Sequence, residues 1–146
     1  MTRTGSMLVL LLTLVAVVGC GPRETPEQRL ATLRAAHDIV PTAWANTTDA
    51  EGNPRLVVDL RITNQAADPL AKLTILVSVD GPDGTEKLRE RVTLDLSDLR
   101  PGLDTQTAAL VPGFTGGEFD RIEAGIEGGL SDEELRALPE FALIEP

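Results

Sequence analysis

The chain has 146 residues, 23 of them acidic against 13 Lys and Arg and a single His, for a formal net charge of −10. So acidic a surface cannot replace the counterions around phosphate backbones, which excludes nucleic acid as a partner class. One cysteine, Cys20, cannot close an intramolecular disulfide, so the fold must rest on its apolar core.

Arg3 gives a short positive lead, Met7 to Val18 form an unbroken apolar run apart from Thr13, and Val17-Val18-Gly19-Cys20 follows. As a helix, twelve residues rise about 18 Å, short of the roughly 30 Å hydrocarbon core, so a cleaved leader is expected rather than a spanning anchor. The order of charge, apolar run and small residue before cysteine resembles the signal peptide and lipobox of bacterial lipoproteins. That resemblance covers residues 1–19 as a helical signal peptide, with cleavage between Gly19 and Cys20. It implies lipidation of the Cys20 thiol with a diacylglyceryl group and further acylation, such as palmitate. Two or three acyl chains, at about 0.8 kcal/mol per buried CH₂, hold a soluble domain on a membrane where one chain does not. Removing the leader takes away only Arg3 among charged residues, so the mature charge moves from −10 to about −11. Gly21 follows the cysteine where an Asp would signal inner-membrane retention, so outer membrane is expected in a Gram-negative source and cell membrane otherwise.

Residues 20–25 read as a polar tether, and 26–146 as one domain. Thr25-Pro26-Glu27-Gln28 opens a helix: Thr25 as N-cap, Pro26 at the first helical position, Gln28 closing a capping box. Leu30, Leu33 and Val40 fall near one face, and the helix is expected to stop before Pro41. The apolar period then switches from 3.6 to 2. A strand around Ile39–Thr47, carrying Trp44, can pair with 55–63 across the turn Asp49–Pro54. Leu56, Val58, Leu60 and Ile62 form the inward row of the second strand, and Leu73, Ile75, Val77 and Val79 that of the third. Asp80–Gly84 is a turn cluster, followed by a strand with Leu88, Val92, Leu94 and Leu96 on one face. Glu90 shares that inward face, which places the strand at a sheet edge. Pro101-Gly102 leads to a weaker strand near 105–111, and a last strand at 119–127 turns Ile122, Ala124 and Ile126 inward. Ser131-Asp132-Glu133-Glu134 opens a second short helix, with Asp132 and Arg136 spaced to pair, ending by Pro139. The apolar tail Phe141–Ile144 is expected to dock on the domain. The expected fold is thus mainly β, an antiparallel sandwich of about six strands with a short helix at each end.

Within it, Arg61-Ile62-Thr63-Asn64, Val77-Ser78-Val79-Asp80 with Asp83-Gly84, and Leu99-Arg100-Pro101-Gly102 resemble elements of the FxLYD-type, immunoglobulin-like domains of bacterial envelope proteins. The resemblance spans Leu56 to Phe114 and departs at the aromatic that names the family, since the chain contains no Tyr. It implies an Ig-like accessory module without catalytic residues.

Candidate chemistry is sparse. His37 has no Cys, Asp or Glu at a metal-ligand spacing and reads as a surface or boundary residue. Ser78, Ser97 and Ser131 have no nucleophile-elbow context. Asp49, Glu51 and Asn53 gather hard oxygen donors around Gly52, and Asp80–Glu86 makes a similar group, but both spacings are also those of turns. Asn46-Thr47-Thr48 matches a glycosylation acceptor, which a bacterial protein need not use. Trp44 reads as core. Glu118, Asp120, Glu123 and Glu127 make an acidic stretch, with Glu123 and Glu127 outward, suited to solvation or to a basic partner. No catalytic residue, cofactor or metal is assigned. The expected function is a non-catalytic, membrane-anchored envelope module, structural or contacting an envelope protein. The alternative is a module binding a cation or small solute in its loops.

Overall fold

The computed structural model describes residues 24–142, so Gly19, Cys20, the leader, most of the tether and the tail from Leu143 lie outside the described residues. The elements run α1 (Pro26–Ala36), β1 (His37–Thr48), β2 (Pro54–Asn64), β3 (Leu70–Asp80), β4 (Glu86–Leu99), β5 (Asp104–Pro112), β6 (Arg121–Gly125), α2 (Asp132–Ala137) and α3 (Pro139–Ala142). They form two antiparallel three-stranded sheets, ordered β1-β2-β5 and β4-β3-β6. None of the described helices is long and apolar enough to cross a membrane.

Period-2 patterning builds the core. Leu56, Val58, Leu60 and Ile62 of β2 and Leu73, Ile75, Val77 and Val79 of β3 are essentially inaccessible to solvent. Leu94, Leu96 and Leu99 of β4 and Ala109 and Val111 of β5 complete one cluster shared by both sheets. Each fully buried Leu, Ile or Val contributes about 1.5–3 kcal/mol of transfer free energy, so the central strands β2 and β3 carry most of the burial. A second cluster joins Leu30 of α1 to Leu130, Leu135, Leu138 and Phe141 at the C-terminal end. Phe141 therefore docks, as its apolarity implies.

Helix α1 starts at the predicted capping box, in which Thr25 and Gln28 exchange side-chain and backbone bonds. It ends at Ala36, four residues earlier than Pro41 suggested. The segment His37–Val40 joins β1 instead, because there it pairs with Arg61–Asn64 of β2. Pro41 is tolerated in mid-strand because β1 is an edge and its register shifts between Pro41 and Ala43. The predicted pairing across the Asp49–Pro54 turn is present from Thr48↔Pro54 to His37↔Asn64.

β4 lies at an edge, as expected, but Glu90 is exposed rather than buried. Its parity is inward, yet at a sheet border a long side chain can turn past the strand into water. Two register shifts in the β3–β4 pair and positive φ at Ser97 and Asp98 further break this edge. The last strand is shorter than 119–127, since Gly117–Asp120 closes a turn before it. Helix α2 keeps its predicted capping box at Ser131 and Glu134. The expected Asp132–Arg136 pair is not among the ion pairs of the described residues; Arg91 takes Glu134 on that helix instead.

Candidate functional site

The candidate cation loop is a hydrogen-bonded turn. Asp49 Oδ1 accepts the Glu51 and Asn53 backbone N–H groups at 2.9 and 2.8 Å, and Oδ2 accepts Asn53 Nδ2 at 2.9 Å. Asn53, by side chain and then backbone, holds the Asp49 carboxyl below the usual range. In the β3–β4 turn Asp83 accepts the Thr85 N–H and hydroxyl in the same way, lowering its pKa. These bonds bring Asp49 and Asn53 together, and Glu51 joins them through its backbone N–H. Among the described residues no group of three or more His, Cys, Asp or Glu is placed to hold a metal.

His37, expected at the surface or its boundary, is buried, at 8% exposure. Its position at the C-cap of α1 turns it inward, where Nδ1 donates to Leu33 O at 2.8 Å and Nε2 has no hydrogen-bond partner among the described residues. Trp44 packs against the core, and its ring lies where a Cβ on Gly116 would come within 3.2 Å. Asn46 uses both ends of its amide on the Gly116 backbone, tying the β5–β6 crossover to β1. That amide is thereby committed to the fold.

The acidic C-terminal stretch is largely paired. Lys87 donates to Asp120 at 2.6 Å, and Asp120, with a side chain only 2% exposed, is held ionised chiefly by that bond and by the Gly117 N–H. Glu127, which the sequence placed in solvent, is largely covered. It accepts Arg91 Nε at 2.6 Å and Arg89 Nη2 at 3.2 Å, and Arg91, first, then Arg89 lower its pKa. Arg91 also reaches Glu134 at 3.0 Å, so one guanidinium bridges β4, the β6–α2 loop and α2. Arg121 pairs with Glu123 on the exposed face of β6. Of the four carboxylates in this stretch, Asp120, Glu123 and Glu127 form ion pairs among the described residues.

What stays open is backbone. β5 is an edge strand whose register with β2 runs unbroken from Arg55↔Pro112 to Thr63↔Asp104. It carries no charge between Thr105 and Val111, no bulge and no interior proline. On its outer face Leu110 is 46% exposed, opposite half-buried Val57. Natural edges are usually blunted by charge, bulge or proline, and here β1 and β4 are blunted and β5 is not. Its uncharged run was readable in the sequence, but its edge position depends on which sheet the strand joins. A groove of about 240 Å³ also opens on the outer face of the other sheet, over Leu76, Ser78 and Gly125. No protein-family model, curated protein or solved structure matches this chain.

Proposed function

We propose that this chain is a lipid-anchored protein of the bacterial envelope whose β domain is a non-catalytic module that contacts another envelope protein. The observation that carries the anchor is the Met7–Val18 apolar run ending at Val17-Val18-Gly19-Cys20, with a folded domain beginning at Pro26. In this reading the thiol of Cys20 carries the lipid and the tether leaves the domain in water.

The strand order supports an Ig-like sandwich as the finer description. Sheets β1-β2-β5 and β4-β3-β6, with hairpins at β1–β2 and β3–β4 and crossovers elsewhere, are compatible with an immunoglobulin-type arrangement whose last strand is not among the described residues. Kinship with FxLYD-type domains belongs to the same proposal. The regular, uncharged edge of β5 supports contact through strand addition, in which backbone groups give affinity and alternate side chains give specificity. Loop binding of a cation has less support, because the oxygens of Asp49 are already engaged by its own turn.

Fractionating cells that express the full chain, as it stands and with Cys20→Ser, tests the anchor. The unaltered chain is expected in membranes after high-salt and carbonate washing, with the variant released or retained as an uncleaved precursor. A cleaved variant that still partitions fully with membranes would overturn the proposal.

A further inference from the structure

We infer that the free edge of β6 pairs antiparallel with β6 of a second copy of this chain, joining two three-stranded sheets into one of six. Among the described residues β6 is bonded to β3 on one side only, and β1 of the other sheet approaches it without pairing with it.

The occupant is named by the symmetry of the strand's own side chains about Ile122. In an antiparallel pair centred there, Ile122 faces Ile122 of the other copy, and Arg121 faces Glu123 in both directions. Arg121 and Glu123 are exposed, at 74% and 53% of their side chains, and form an ion pair with each other within one chain. Directly opposite residues stand about 4.5–5.5 Å apart at Cβ, close enough for two cross-strand ion pairs. Any register shifted by two residues loses both.

Continued past the strand end, the same symmetry brings the turn residue Phe119 of one copy to the end of β6 of the other, near Gly125. Phe119, in the turn entering β6, is 74% exposed, an unusual state for a phenyl ring. Gly125 has no atom within 4 Å of where a Cβ would stand, and it floors the groove with Leu76 and Ser78. By period, Arg121, Glu123 and Gly125 belong to the outer face of the sheet, and Phe119 stands in the turn two residues before Arg121, so the ring of one copy can reach the groove of the other. An aromatic covering a strand glycine is a recognised way of stabilising a pair. The contact is isologous and closes at two copies. It does not rest on the lipid anchor.

Cross-linking the full chain in cells tests it. Ile122→Cys is the position that faces itself, so a short bismaleimide is expected to give a dimer there. Gln106→Cys, exposed on the other sheet, should give none, and the otherwise unchanged chain sets the blank. In the Ile122→Cys background, Arg121→Glu or Glu123→Arg opposes like charges and should lower the yield roughly threefold to tenfold. The two reversals together restore the pairs and should restore the yield. Equal yields at 106 and 122, no dimer at 122, or charge reversals that fail to compensate would each overturn the inference. Phe119→Ser gives a second reading at an exposed position, and its yield should fall as well; an unchanged yield would remove Phe119 from the contact and overturn the groove assignment.

Discussion

Replacing Asn64 by Ala removes an amide that joins three segments of chain. Its Nδ2 donates to Asp68 O at 2.9 Å and Leu99 O at 2.8 Å, and its Oδ1 accepts the Ala66 N–H at 2.9 Å. The residue is fully buried, so its former partners would have no water to turn to. We expect Asn64→Ala to cost about 2–4 kcal/mol, read as a lower denaturant midpoint with an unchanged slope; a cost under about 0.5 kcal/mol would contradict this role. Asn64 was legible in the sequence as the close of a strand. Its reach to Leu99, 35 residues away, was not, because it depends on where β4 ends. His37 and Glu127 show the same limit. His37 was read as a surface or boundary residue and is buried at the C-cap of α1, and Glu127 was read as outward and is covered by the β4 arginines, 38 and 36 residues before it.

At the scale of elements, alternation told most of the fold. The inward rows of β2, β3 and β4 follow from period 2, and the pairing of β1 with β2 follows from the turn between them. The border between α1 and β1 was less legible, because His37–Val40 fits a helix face and an edge strand alike until pairing with β2 decides. Helix α2 offers a pH test of its start. The Ser131 backbone N–H, the Ser131 hydroxyl and then the Arg91 guanidinium hold the Glu134 carboxyl down to about 2 from its ordinary 4.5. A carboxyl lowered by folding contributes stability above its unfolded pKa and loses it as pH falls through the folded value. The contribution of α2 is therefore expected to be level above about pH 4.5 and to decline toward pH 2. Glu127, lowered in the same direction, adds to that decline. Thermal unfolding from pH 6 to pH 2 should show the fall, and Glu134→Gln should be less stable at pH 6 with a shallower fall. Parallel curves for the two proteins would contradict the capping role.

For the whole molecule, two small sheets share one core and a helical cap closes one end, which leaves strand edges as the surfaces with distinct chemistry. The β5 edge and the β6 edge differ in kind. β5 is uncharged and regular, suited to a foreign strand, whereas β6 carries a pattern complementary to itself. A domain held near a membrane by two or three acyl chains would meet its partners in two dimensions, which raises the effective concentration for weak edge contacts. The lipid anchor rests on the Met7–Val18 run and on the Val17-Val18-Gly19-Cys20 that closes it. Mass spectrometry of the N-terminal peptide of the membrane-extracted protein measures that directly. The expected peptide begins at Cys20 and carries the mass of a diacylglyceryl group, with or without further acylation. A peptide that begins elsewhere, or an unmodified Cys20 within an uncleaved leader, would contradict the lipid anchor.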